Sequence, residues 1–274
     1  MAESGKLPAY VHGHSPAVLS AHGRRTVKGF TPYVIPYVKP DFSVLDVGCG
    51  PGSISADLAT MVPVGRVTCF DASEVAVETA RALFEARDLR NGDFVAGDVA
   101  KLPFPDGSFD LVHAHQVVIH LEDPDAAMRE MKRVLKTGGI LACKDMILSS
   151  TAYYPALPCM DAWVKALVST MRVASCDPDM GARLKGLALD AGFEAGNVKC
   201  SVGSWCFSEP EDVEWWGTSV ADRMAEESEL RKRVEKVGSL TDLEMDAGVK
   251  AWREWATSKD AWFGVMNGEI ICQK

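Results

Sequence analysis

At 274 residues, with 47% hydrophobic and 24% charged side chains, the chain is long enough to bury a sizeable core, and its composition excludes wholesale disorder, a collagen-like repeat or a coiled coil. Thirty-eight acids against 29 Lys and Arg leave a net charge of −9, a field that repels phosphate backbones and argues against nucleic acid as a partner. Met1 to His14 carries no apolar h-region and no run of about 18 apolar residues occurs, so neither a secretory signal nor a membrane span is expected and the protein is placed in the cytoplasm.

In chain order, residues 43 to 146 alternate short apolar runs with helical patterns, the mark of βαβ units and a doubly wound, mostly parallel α/β sheet. Ser43 to Val47 is the first strand. It runs into Gly48, Cys49, Gly50, Pro51 and Gly52, after which Ile54, Leu58 and Met61 mark one face of a helix. Arg66 to Asp71 is the second strand, and Ser73 caps a helix whose stripe includes Val77, Ala80 and Phe84. Asp93 to Ala96 makes a short third strand and Phe109 to Ala114 the fourth. Pro124, after Asp123, opens a helix that carries Met128, Met131, Val134 and Leu135 and stops at Gly138; Gly139 to Met146 is the fifth strand.

Beyond Met146 the rhythm weakens. Residues 151 to 190 hold Pro155, Pro158 and Pro178 around a helical stretch from Asp161 to Met171, which reads as a lid across the sheet's open edge. The run from Asn197 to Phe207 feeds a sixth strand and Ala261 to Cys272 a seventh. Between them, residues 209 to 229 carry eight acids against one base, Arg223, and read as a solvated helix face with two buried rings, Trp215 and Trp216. The eight cysteines, at 49, 69, 143, 159, 176, 200, 206 and 272, show no C-x-x-C pairing and read as buried thiols in a reducing compartment. With no internal repeat or linker, the chain divides within one elaborated domain: a helical lead-in over 1–40, a cofactor-binding core over 41–150 and an acceptor-pocket lid with the last strands over 151–274.

A strand, a glycine loop and a helix bring bare backbone close to a ligand at the carboxyl end of the first strand. Ser53 stands where a dinucleotide fingerprint has its third glycine, so two acids decide what the loop cradles. Asp71, some twenty residues beyond Gly50, is placed to accept from both hydroxyls of a ribose, or else caps a strand end. Asp98 follows the third strand and can accept from an exocyclic adenine amine, or else serves a turn.

The segments LDVGCGPGSISADLA, FDAS, GDVAKLPFPDGSFDLVHA and HLEDPDAAMREMKRVLKTGGIL together resemble the motifs of class I S-adenosylmethionine-dependent methyltransferases, above all the group that includes the ubiquinone and menaquinone C-methyltransferases and many small-molecule enzymes. The N-terminal YVHGHSPAVLSAHGRRT is similar to a lead-in of some bacterial and fungal members. The resemblance implies a Rossmann-like fold with a seven-stranded sheet, S-adenosylmethionine as cofactor and a small-molecule methyl acceptor. It implies that Asp46 helps hold the loop and the amino group of methionine, that Gly48 and Gly50 border the methionine moiety, Asp71 and Ala72 the ribose, and Asp98 and Val99 the adenine. It further implies that His115 and Gln116 line the cofactor, that Tyr10 closes over it, and that His120 faces the acceptor.

Methyl transfer is an in-line displacement governed by alignment and exclusion of water, and a base helps where the acceptor is a hydroxyl or an acidic carbon; among the six histidines His120 is the first candidate. His113 and His115 share a strand face but have no third ligand at a suitable spacing, so no metal is expected. His12, His14 and His22 cap the site or populate a surface. The tryptophans at 163, 205, 215, 216, 252, 255 and 262 supply either a flat acceptor pocket or ordinary core. Two alternatives stand beside methyl transfer: a cofactor-binding protein that does not transfer methyl groups, and a nicotinamide-dependent oxidoreductase. The acceptor's identity, its nucleophilic atom and the oligomeric state stay open.

Overall fold

The computed structural model describes residues 23–225 and 227–274. Strand β1 (Ser43–Val47) leads through the glycine loop into helix α2 (Ser53–Met61), preceded by the single-turn α1 (Val27–Phe30). β2 (Arg66–Asp71), α3 (Glu74–Ala86), β3 (Gly92–Ala96), β4 (Phe109–His115), α4 (Pro124–Val134) and β5 (Leu135–Met146) complete the alternating half. Capping fixes the helix starts as the sequence indicates: Ser73 Oγ accepts from Ala76 N–H at 3.3 Å and Asp123 Oδ1 from Ala126 N–H at 2.8 Å.

The helix expected to stop at Gly138 ends earlier. Leu135 turns extended at φ −71°, ψ 138° and joins β5 opposite Phe109, because that position completes the sheet's ladder beside an irregularity in β4. Gly138 instead occupies a turn at φ +79° within the lengthened strand.

The second half adds β6 (Ala152–Tyr154), α5 (Ala162–Val173), α6 (Leu184–Asp190), β7 (Val198–Phe207), α7 (Pro210–Met224), α8 (Glu229–Val237), α9 (Asp242–Trp255) and β8 (Trp262–Gln273). The sheet has eight strands rather than the seven expected, the extra one being the three-residue β6. Strands β3-β2-β1-β4-β5 are parallel, and β8 returns antiparallel against β5. β7 pairs with β8 from Phe207↔Phe263 to Val198↔Cys272, so β5 and β6 share the opposite edge of β8.

Alternation along the strands divides the apolar residues between two cores. Val44, Val67 and Leu111 face α1, α2 and α3 with Ile54, Leu58 and Phe84; Leu45, Phe70 and Val112 face the other layer with Met128, Trp163 and Trp216. That second layer is aromatic: Trp163 meets Trp216 edge-on at 5.6 Å and Trp252 at 5.8 Å, and Trp216 lies 4.8 Å from Phe263. The indole N–H of Trp252 donates to Met160 O and that of Trp255 to Tyr154 O, anchoring α9 to the segment before α5. Of the two rings expected to be buried on α7, Trp216 is, whereas Trp215 is only half-buried. Cys159, Cys200 and Cys206 are exposed, against the expectation of eight buried thiols, because β7 is a sheet edge and Cys159 lies in a loop.

Candidate functional site

The strand order reverses between β1 and β4, and outside the carboxyl ends of the strands there opens a cavity of about 500 Å³. Gly48, Gly50, Asp71, Ala72, Asp98, Val99, His115, Gln116 and His120 all line it, so nine expected site residues from four strand ends and their loops meet in one place.

The glycine loop is shaped by positive φ at Gly48 (+65°), Gly50 (+53°) and Gly52 (+83°). A Cβ at Gly52 would stand 2.6 Å from Ala80 Cβ, whereas one at Gly50 would meet no protein atom within 4 Å, so the two glycines answer to different demands: helix packing and an open ligand space. Gly52→Ala is therefore expected to cost about 2–4 kcal/mol by combining left-handed strain with overpacking. Gly50→Ala is expected to cost only about 1 kcal/mol of stability while weakening S-adenosylhomocysteine binding. Urea unfolding and calorimetric titration of both variants check this; an inverse order of stability losses would contradict it.

Asp71 Oδ2 accepts from Gly50 N–H at 3.0 Å and Oδ1 from Ser73 N–H at 2.9 Å, so one carboxylate ties the loop to the end of β2. Each oxygen has accepting capacity beyond that one bond, and Asp71 lines the cavity. Asp98 caps the turn Val99–Lys101 through Ala100 N–H at 2.9 Å and keeps its second oxygen uncommitted to that cap. Gln116 adopts φ +58°, its N–H donating to Lys144 O and its side chain to Asn267 Oδ1 at 2.7 Å, which fixes the loop after β4.

Asp46 stands apart from this set. It is buried beneath the loop and outside the cavity lining, where its carboxylate accepts from Ser55 Oγ at 2.5 Å and meets His113 Nδ1 at 2.7 Å. It therefore braces β1 against α2 and β4, beneath the loop that it is expected to help hold. The same bond accounts for His113, the first of the two strand-face histidines, and among the described residues no group of three or more His, Cys, Asp or Glu is placed to hold a metal ion. Tyr10, His12, His14 and His22 lie outside the described residues.

The rest of the wall was only partly legible. Trp163, Trp205 and Trp216 line the cavity with Leu167, Met171, Leu148 and Met146, while Trp252 and Trp255 are core and Trp262 is 41% exposed. Arg25 and Arg223 line it too, which the sequence reading did not anticipate; the dipeptide Arg24-Arg25 and the lone base in the acidic 209–229 stretch were the available signals.

Burial lowers the His120 imidazole to about 4, aided by the nearby Arg25, Arg223 and Arg233 charges, and burial holds His115 well below 6.5, aided by Arg25, His113 and Lys144. Both rings are thus neutral at pH 7. Between pH 6.5 and 4 the unfolded chain takes up a proton that folded His120 does not, so stability falls as pH falls through this window, by at most about 3 kcal/mol from this residue. His115 acts in the same direction. Asp145 opposes them: burial raises its carboxyl well above 3.8, against the pull of the Val117, Val118 and Ile119 N–H groups, which do not reach hydrogen-bond geometry, so lowering the pH relieves its penalty. Because these terms overlap, the difference between wild type and His120→Gln isolates one of them: the variant is expected to lose about 3 kcal/mol less between pH 6.5 and 4 in urea unfolding. Parallel losses would show that His120 is not held neutral.

Residues 45–143 match the family described as the methyltransferase domain. An uncharacterised methyltransferase of Schizosaccharomyces pombe is 31% identical over 97% of this chain and 96% of its own length. The chain belongs to the methyltransferase family. A demethylmenaquinone methyltransferase of Listeria welshimeri is 40% identical over 109 residues, 39% of this chain and 46% of the relative. Among solved structures, an S-adenosylmethionine-dependent methyltransferase from Aquifex aeolicus superimposes with a TM-score of 0.52 at 18% identity, covering 93% of this chain and 99% of that one, which shows a shared fold. This protein is a class I S-adenosylmethionine-dependent methyltransferase, and the nicotinamide alternative is set aside.

Proposed function

We propose that this methyltransferase acts on a small molecule bound in the same cavity as its cofactor, in the cytoplasm. The observation that carries the reading is the continuity of the cavity: one end is built from the glycine loop, Asp71 and Asp98, and the other from Trp163, Trp205, Trp216, Leu167 and Met171. Gly48 and Gly50 would border the methionine portion, Asp71 with Ala72 the ribose, and Asp98 with Val99 the adenine. His115 and Gln116 would close the cofactor's flank. The cofactor supplies an electrophilic methyl group on a sulfonium; this chain supplies alignment and a wall that excludes water.

His120, on the turn Val118–His120, is assigned to hold the acceptor. A conjugate acid near 4 makes a poor base for an ordinary hydroxyl, so the neutral ring serves as a hydrogen-bonding partner that orients the nucleophile. The eight free thiols support a reducing compartment, and the net charge of −9 supports an acceptor other than nucleic acid. No described helix is long and apolar enough to cross a membrane.

The test is incubation with methyl-labelled S-adenosylmethionine and a cell extract separated into low-mass and protein fractions. Label transferred into the low-mass fraction by wild type but not by Asp71→Ala is expected. Label confined to the protein fraction would overturn the small-molecule reading.

A further inference from the structure

Strand β7 ends the sheet with one long side open. Among the described residues it pairs with β8 alone, from Val198↔Cys272 to Phe207↔Phe263 without a break in register, and its backbone makes no hydrogen bond to any other segment. An antiparallel strand held on one side turns the N–H and C=O of every second residue away from its neighbour, so half of these main-chain groups face outward. Lys199, Cys200, Ser201, Val202, Ser204 and Cys206 are all exposed, Val202 at 62%.

Edge strands that must stay single are blunted by shortness, by proline, by a bulge or by charge along their length. β7 is ten residues long, keeps an unbroken register, holds no proline and carries its one charge, Lys199, near one end. The stretch from Cys200 to Ser208 is uncharged. In a chain of net charge −9 such a strip lets two copies approach without acid facing acid.

We propose that this edge is occupied by a second copy of the chain, the two β7 strands pairing antiparallel about a two-fold axis at Gly203 and joining both sheets into one. A strand edge is self-complementary under such an axis. Facing residues must both turn their main-chain groups outward or both inward, so the axis falls on a residue rather than between two. Gly203 places no side chain at the axis and leaves nearly the whole strand paired. There Lys199 faces Phe207 of the second copy and stands diagonal to Glu209 of the second copy, an exposed acid just beyond the strand, so an opposite-charge pair closes each end. An axis at Val202 would set Lys199 against Trp205 and lose that pair, and one at Ser204 would shorten the ladder. The axis at Gly203 also lays the exposed Val202 against Ser204 of the second copy and Cys200 against Cys206 of the second copy.

Sedimentation of the full chain at micromolar concentration is expected to show a dimer. Val202→Lys is expected to raise its dissociation constant at least about tenfold, because the axis brings the two new ammonium groups diagonally together, with S-adenosylhomocysteine affinity unchanged. Val202→Thr, still β-branched, is expected to remain dimeric. The register is read with diamide, which takes the two thiol hydrogens as it is reduced to its hydrazine and leaves an S–S bond. Peptide mapping by mass is expected to find Cys200 joined to Cys206 between copies, and no bridge on this strand in either Cys200→Ser or Cys206→Ser, because every bridge needs one of each. A monomeric wild type, whether the edge stays bare or another segment or protein fills it, overturns the proposal. So does a dimer that Val202→Lys leaves intact, and a dimer in which diamide forms no Cys200–Cys206 bridge overturns the axis at Gly203.

Discussion

Asp71→Ala is expected to weaken S-adenosylhomocysteine binding between tenfold and more than a hundredfold. The carboxylate already receives the Gly50 and Ser73 N–H groups, at 3.0 and 2.9 Å, and the proposed ribose contact adds two hydroxyls to the same oxygens. Hydrogen bonds to a charged group contribute about 1.5–3 kcal/mol, which sets the fold-change. Alanine also leaves the two N–H groups without an acceptor, so a stability loss of about 1–3 kcal/mol accompanies the binding defect. Asp71→Asn separates the two effects: its one remaining oxygen can still serve a backbone N–H, but its amide nitrogen cannot accept from a hydroxyl. Its stability should lie near wild type and its affinity between the other two. Calorimetric titration beside urea unfolding reads both quantities, and unchanged affinity in a folded Asp71→Ala protein would remove this residue from the cofactor site.

Glu269→Gln is expected to give the largest stability loss, about 3–5 kcal/mol in urea unfolding. Lys144 on β5 and Glu269 on β8 face each other across the strand pair with Nζ to Oε1 at 2.9 Å, at 3% and 6% side-chain exposure. Burial lowers the Lys144 ammonium while Glu269 holds it up, and Ser201 Oγ donates to the other carboxylate oxygen at 2.8 Å. Neutralising Glu269 leaves a buried ammonium facing an amide, which is the costly half-pair. The double replacement Lys144→Met with Glu269→Leu should recover much of the loss, because two apolar side chains of similar volume carry no desolvation penalty. A Glu269→Gln protein within about 1 kcal/mol of wild type would mean that water reaches the pair and screens it.

Residues 43 to 146 were legible in the sequence because what specifies them is local. Strand β1, the glycine loop and α2 follow from apolar periodicity and from glycines where side chains would collide, and caps such as Ser73 and Asp123 lie three residues from the N–H groups they accept. The motif order then placed Gly48, Gly50, Asp71, Asp98, His115 and His120 around one ligand, and all of them line the cavity. Local rules misplaced only the end of α4, where Leu135 has helical spacing but completes a ladder with Phe109.

Only the tertiary structure decided the rest. Asp46 reads as a strand residue that helps hold the glycine loop, and its carboxylate meets His113, a distant neighbour that only the β1–β4 pairing brings alongside as a buried partner. The aromatic wall of the cavity draws Arg25, Trp163, Trp205, Trp216 and Arg223 from segments far apart in the chain. No periodicity distinguishes Trp216, which lines the cavity, from Trp252, which fills the core, since both are bulky apolar residues on helices. The sequence by itself determined the sheet's parallel half, the cofactor loop and the class of chemistry, because short-range spacing encodes them. The return of β8 between β5 and β7, the Lys144–Glu269 pair and the aromatic wall arise from long-range pairing, whose free energy is set by burial that exists only once the chain has closed.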